Sequence, residues 1–185
     1  SVDGYFMAEN GTGYIKISRF AANTFEEYKD AFDVLKKQGL KNLIIDLRDN
    51  GGCYLKNAQK LAYECLEDGK KILTTKGKHT GDETYTATSK GSFERGKLII
   101  LVNENSASAS EILSGALQDN DRALIVGRRT FGKGLVQNTF SLKDGSAIRL
   151  TISRYYTPTG RSIQRPYANG YNVYEEDYKE RYYDG

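Results

Sequence analysis

The stretch L-I-I-L-V-N-E-N-S-A-S-A-S-E-I-L-S-G-A-L-Q-D, residues 98–119, decides the fold. Leu98 to Val102 are aliphatic and bounded by polar residues, which predicts a buried strand. Glu111, Ile112, Leu113, Ala116 and Leu117 follow at helical spacing, so a helix begins among the serines. A side chain at such a strand-to-helix turn is held outward. The amides of the first helical turn lack intrahelical partners, and the helix dipole favours an anion beside them. Ser108 is therefore a candidate nucleophile, with the Ala109 amide a natural donor to an oxyanion. Losing one such donor typically costs ~3 kcal/mol in the transition state. The plainer alternative is that Ser106, Ser108 and Ser110 are small residues that only cap the helix.

A serine nucleophile needs a base. The single histidine, His79, stands in the polar stretch K-G-K-H-T-G-D-E, which reads as an exposed loop rather than a rigid catalytic position. Lysine is the other choice, provided a dry site keeps it uncharged. Most lysines here lie in charge-rich segments. Lys133 differs, because A-L-I-V-G-R-R-T-F-G-K-G-L-V-Q, residues 123–137, surrounds it with apolar residues and glycine. Ser108 and Lys133 are expected to meet as nucleophile and base.

The same segment imitates a phosphate-binding loop. G-R-R-T-F-G-K, residues 127–133, fits the first part of G-x-x-x-x-G-K-[ST], but Gly134 stands where the metal-binding hydroxyl belongs. L-V-Q-N-T-F-S-L then alternates like a strand, so the helix N-terminus that would cradle phosphate is missing.

Upstream, residues 13–20 alternate as a strand. Thr24 and Glu27 have capping-box spacing before a helix striped by Phe25, Tyr28, Phe32 and Leu35 and ended by Gly39. Residues 43–47, L-I-I-D-L, form a strand running into D-N-G-G, a turn that can take positive φ and expose amides. Leu55 to Leu66 reads as a second helix. Residues 70–97 are polar and read as an insertion, with K-I-L-T-T pairing T-Y-T-A-T as a hairpin. Gly145 turns a second hairpin between residues 135–142 and 147–153. From Tyr167 onward the chain is aromatic and charged without a clear apolar period, which suggests a core domain over residues 1–166 and a peripheral tail over 167–185. Alternating strands and helices imply an α/β fold with a largely parallel sheet. The turns at D-N-G-G and N-S-A-S then fall at one carboxyl edge of that sheet, where ligands bind.

S-A-S-A-S-E, a lysine 25 residues after Ser108, and Gln137 four further on resemble the carboxy-terminal processing (tail-specific) serine peptidases. D-L-R-D-N-G-G, residues 46–52, and Y-Y-T-P-T-G-R-S-I-Q, residues 155–164, are similar to two more blocks of that family, in the same order. The resemblance implies a Clp peptidase/crotonase-like core of repeated β-β-α units with added hairpins. It implies an endopeptidase acting on protein substrates near or from their C-termini through an acyl-enzyme. Ser108 is then nucleophile, Lys133 general base and Gln137 the residue that orients the lysine. Asp119 and Glu111 are supporting acids, and amides of Gly51 or Gly52 and of Ala109 form the oxyanion hole. No metal or other cofactor is called for. The resemblance also implies a PDZ domain upstream of residue 1 and an extracytoplasmic location in the bacterial periplasm or envelope. A further glycine is usual at the position of Cys53, so this chain departs from the pattern there. Two rival readings remain: an inactive relative that binds a peptide or apolar ligand in the same cleft, and acyl-CoA chemistry on a related fold.

Composition narrows the classes. The 185 residues suit one domain, or one with a small lobe. A net charge of +3, from 27 Lys and Arg against 24 Asp and Glu, gives no electrostatic case for nucleic acid. No apolar run approaches the ~20 residues of a membrane span. No basic-and-apolar signal segment opens the chain, and S-V-D-G-Y-F-M reads as the start of a piece of a longer protein. Cys53 and Cys65 make no disulfide framework, and whether they pair is open. Cys53 as a nucleophile lacks a histidine partner.

Overall fold

The computed structural model describes residues 1–88, 91–167 and 170–183; of the expected insertion and tail, residues 89–90, 168–169 and 184–185 lie outside it. Its centre is a five-stranded sheet of β1 (Val2–Ala8), β2 (Thr12–Ile17), β3 (Asn42–Asp46), β6 (Leu98–Val102) and β7 (Leu124–Gly127), side by side in that order. β2, β3, β6 and β7 are parallel, and β1 is an antiparallel edge. Three helices cover one face: α1 (Thr24–Lys37), α2 (Leu55–Cys65) and α3 (Ala109–Asp119). Parallel strands require such crossovers, and each helix follows the strand whose carboxyl end feeds it. The fold is the expected α/β architecture with a largely parallel sheet.

Side chains alternate across this sheet with period two. Ile15, Ile17, Leu43, Ile45, Leu98, Ile100 and Val102 point to the helices and are fully or almost fully buried. They close a core with Phe20, Tyr28, Phe32, Leu61 and Leu113. On the other face Phe6, Tyr14, Ile44, Ile99 and Leu124 form one row across all five strands. Tyr14, Ile44 and Ile99 are only half-buried, and Phe6 and Leu124 are 55% and 63% exposed. The apolar runs L-I-I and A-L-I-V predict strands covered on both sides; the described residues cover one.

The second sheet, entirely antiparallel, has the order β5 (Gly81–Thr86), β4 (Lys71–Gly77), β9 (Ala147–Tyr156), β8 (Leu135–Ser141). Both expected hairpins are present, with Leu73 opposite Tyr85 and Phe140 opposite Ile148. His79 is exposed in the turn between β4 and β5. Residues Tyr171–Tyr183 form a helix, α4.

One local expectation needs correction, and two points that the sequence left open are settled. The Thr24–Glu27 capping box does not form, because the Glu27 amide bonds to the Asn23 carbonyl while its carboxylate takes the Ser1 hydroxyl and the Val2 amide. Val2–Ala8, interrupted by Asp3 and Gly4, is a strand that no alternation announces; as a lone antiparallel edge it has no closed face to pattern. Cys53 and Cys65 are both free thiols, the first exposed in the glycine turn and the second buried in α2.

Candidate active site

β3 and β6 are neighbours in the sheet, so the turns at their carboxyl ends lie side by side. Buried Asn50 fastens them. Its carbonyl accepts the Ala107 amide at 3.0 Å and the Ser110 hydroxyl at 2.9 Å, while its own amide group donates to the Ile17 carbonyl at 2.9 Å. Ser106 donates its hydroxyl to the Leu47 carbonyl at 2.8 Å, and Asp49 accepts from both Asn103 and Asn105 at 2.8 Å. Gly52, at φ +85°, then presses against the serine turn: a Cβ there would stand 2.6 Å from the Ala107 oxygen and 2.8 Å from both the Ala109 nitrogen and Ser108 Cβ. Only glycine admits that approach.

Ser108 is the N-cap of α3 and has φ +53°, ψ −109°, a conformation that costs a non-glycine residue energy and is held by its surroundings. Half-buried, it stands at the mouth of the turn. The Ala109 amide has no hydrogen-bond partner among the described residues, as the first turn of a helix requires. Of the two glycines expected to supply the second oxyanion donor, Gly52 gives its amide to Asn50 Oδ1 at 2.9 Å. The Gly51 amide is the one left unengaged among the described residues.

Glu111, on the first turn of α3 and 5% exposed, joins this turn to the segment carrying Lys133. Oε2 accepts the amides of Ser108 and Lys133, each at 2.8 Å, and Oε1 accepts that of Gly132 at 2.6 Å. The Ser108 and Lys133 nitrogens are therefore separated by no more than those two bonds laid end to end. The Phe131 amide adds a further tie to the Ser106 carbonyl at 3.0 Å. Burial pushes the Glu111 carboxyl above its usual range, against the pull of the Lys133, Gly132 and Ser108 amides and the Thr130 side chain.

The main chains of Ser108 and Lys133 thus come together, with no hydrogen bond between their side chains among the described residues. Lys133 is exposed, and among the described residues no hydrogen bond links it to Ser108 or to Gln137. The dry surroundings expected from its neighbours are absent because Gly132 and Gly134, the residues on either side, are the buried ones. The two glycines pack against Gln164 and Arg165, a Cβ on Gly132 falling 2.8 Å from the Arg165 Cβ and one on Gly134 closer still to the Gln164 nitrogen, and the lysine between them is left at the surface. Gln137 lies on β8, exposed, beside a bulge between Val136 and Gln137.

Asp119, at the far end of α3, accepts the Thr159 amide at 3.0 Å and hydroxyl at 2.6 Å and pairs with Arg161. It fixes the T-P-T-G-R turn to the helix and stands at the opposite end of α3 from Ser108. Burial alone would raise its carboxyl, but these groups and Thr157 hold it down at about 2. Asp46 makes a comparable knot with Tyr14, Lys16 and Arg48.

A cavity of about 600 Å³ opens behind Glu111, lined by Gln118, Arg128, Arg161 and Arg165 among others. Its arginines are paired with acids, Arg128 with Glu104, Arg161 with Asp119, and Arg129 and Arg165 both with Asp177. Asn50, Asn103 and Gln164 shape the site and were not singled out from sequence; the one available signal is that D-N-G and N-E-N favour side-chain-to-backbone turns.

The model of peptidase family S41 matches residues 11–170. A carboxyl-terminal-processing protease of Synechocystis is 42% identical over 153 residues, which are 83% of this chain and 35% of that protein. A probable CtpA-like serine protease of Staphylococcus aureus strain N315 is 41% identical over 167 residues, 88% of this chain and 33% of that one. The solved photosystem II D1 C-terminal processing protease superposes with a TM-score of 0.76 at 37% identity, covering 85% of this chain and 42% of the other. The chain thus spans about a third of the length of the curated relatives it matches. The tricorn protease shares the fold at a TM-score of 0.52 and 16% identity. With the matched region running from β2 past the T-G-R-S-I-Q turn, the chain belongs to peptidase family S41.

Proposed function

We propose that this chain carries the catalytic centre of a serine endopeptidase that processes protein substrates near or from their C-termini. The uncharged Lys133 amine takes the proton of Ser108 Oγ as the oxygen attacks a peptide carbonyl. The amides of Ala109 and Gly51 receive the oxyanion. Lys133 returns the proton to the leaving amine, and water then hydrolyses the acyl-enzyme. The observation that carries this reading is the Glu111 carboxylate, which accepts both the Ser108 and the Lys133 amides. With the main chains so close, rotation of the lysine side chain suffices to bring Nζ to Oγ. Catalytic contacts that are loose in a free enzyme tighten on substrate. A peptide lying over the two turns would displace water from the amine, and Gln137 is the residue we assign to hold it once turned inward.

The name of the Synechocystis relative, a carboxyl-terminal-processing protease, supports substrates cut at the carboxyl end. For the whole protein we propose, from the sequence resemblance, a PDZ domain that captures substrate tails, and a location in the periplasm or cell envelope.

Ser108→Ala or Lys133→Ala is expected to abolish turnover of an unfolded protein substrate while circular dichroism stays unchanged. A fluorophosphonate is expected to label Ser108 faster as pH rises. Near-full activity of Lys133→Ala on that substrate overturns the assignment. The rival reading is an inactive relative that holds a peptide in the same place; failure of Ser108 to label at alkaline pH selects it.

A further inference from the structure

The segment carrying Lys133 is gripped from two sides. Glu111 takes the Gly132 and Lys133 amides on one side. On the other runs Gln164–Arg165. The Arg165 amide donates to the Gly132 carbonyl at 3.0 Å, and Gln164 Oε1 accepts the Gly134 amide at 3.0 Å. The Gly134 carbonyl is taken by the Tyr155 amide at 2.8 Å. The contact is close enough that a Cβ on Gly132 would stand 2.8 Å from the Arg165 Cβ. Gln164 is 8% exposed, and its other amide atom is committed too, donating to the Arg165 carbonyl at 3.0 Å. The Arg165 guanidinium centre lies 4.7 Å from the Phe131 ring and 3.6 Å from that of Tyr174 on α4.

We infer that Gln164 is a positioning residue for Lys133: its side-chain oxygen fixes the main chain on the carboxyl side of the lysine, as Glu111 fixes it on the amino side. This rests on the role given to Lys133 above. The lysine side chain has many rotamers, so where its amine arrives depends on how firmly its Cα is held. A hydrogen bond on each side makes the Cα a fixed pivot. Releasing Gly134 frees the pivot, and the amine reaches Ser108 in fewer encounters, without any change in what binds the substrate.

The test is the rate constant of Ser108 phosphonylation (kinact) and the apparent affinity (KI) for a peptidyl fluorophosphonate. Gln164→Met preserves side-chain bulk and removes both hydrogen bonds. Among protein with parental circular dichroism, kinact is expected to fall roughly 10- to 100-fold, the scale of a displaced reacting group, with KI little changed. Gln164→Glu retains an oxygen facing Gly134 and is expected to recover most of the rate. Should Gln164→Met not fold, Gln164→Asn, which keeps the amide but withdraws it by one methylene, is read on the same scale. An unchanged kinact, a loss confined to KI, or a Gln164→Glu variant as slow as Gln164→Met overturns the inference. Lys133→Ala separates the two levels. If it labels as fast as the parent, or the parent does not label, the peptidase reading and this inference fall together. If it is silent while Gln164→Met is not slowed, only this inference falls.

Discussion

Glu111 Oε2 lies 2.8 Å from the Lys133 amide, and the same oxygen holds the Ser108 amide. A buried acid therefore sets the spacing between a hydroxyl turn and a lysine 25 residues away. Charge-assisted bonds from several amides are strong, and losing the acceptor strands buried donors. Glu111→Gln turns an NH₂ toward N–H groups. It is expected to destabilise the protein by about 3 kcal/mol and, by loosening the pivot, to slow Ser108 labelling roughly 10²-fold. Urea unfolding and labelling kinetics check both.

Gly52→Ala is the complementary test from the other turn. The added methyl would meet the Ala107 oxygen at 2.6 Å and Ser108 Cβ at 2.8 Å, at a φ of +85° that alanine resists. The expected outcome is a loss of about 2–4 kcal/mol and no detectable labelling of Ser108. Gly51→Ala, with nothing near its Cβ, is the control that keeps the fold.

Cys53 has φ +130°, in the region that favours glycine, and is held there between two bonds to Phe20: the Phe20 amide to the Gly52 carbonyl and the Tyr54 amide to the Phe20 carbonyl. Cys53→Gly is expected to stabilise the protein by about 1 kcal/mol, strain relief exceeding the added chain entropy of the unfolded state. A lower urea midpoint for the variant would contradict this.

Acid should weaken the fold through Asp46 and Asp119. Burial acts to raise both carboxyls, but Arg48, Tyr14 and Lys16 overcome it at Asp46, and Thr157, Thr159 and Arg161 at Asp119, so each sits at about 2. A folded value below the unfolded one, near 4, gives stability that is full above pH ~4 and lost as pH falls toward 2, on the order of 2 kcal/mol for each group. Glu111 has the opposite sign: its raised carboxyl favours the fold most in acid and gives that advantage up as pH rises through the folded value. Urea midpoints measured from pH 6 to pH 2.5 should decline, and Asp119→Asn should flatten the decline.

The sheet was legible because strands β3, β6 and β7 are apolar runs too short to be helices and each is punctuated by small or polar residues. The serine turn was legible for the same reason: S-A-S-A-S sits where one period gives way to another. What sequence hid was orientation. The apolar neighbours of Lys133 suggested a dry amine, yet the flanking glycines pack against Gln164 and Arg165 and the lysine faces water. Helix α4 was also hidden, since its tyrosines Tyr174, Tyr178 and Tyr182 recur at four-residue spacing without aliphatic support. They are held by contacts remote in sequence: Tyr178 donates its hydroxyl to Asn105 at 2.6 Å and meets Phe131 edge-on, and Arg128 lies over Tyr182.

Asn50 has one more implication. Because its carbonyl serves Ala107 and Ser110 at once, neither active turn can fluctuate open without breaking the other's bonds. Amide hydrogens in the two turns should therefore exchange with deuterium as a single cooperative unit, with one shared opening free energy, and Ser110→Ala, which removes one of the two bonds to that main-chain carbonyl, should weaken the coupling and accelerate both.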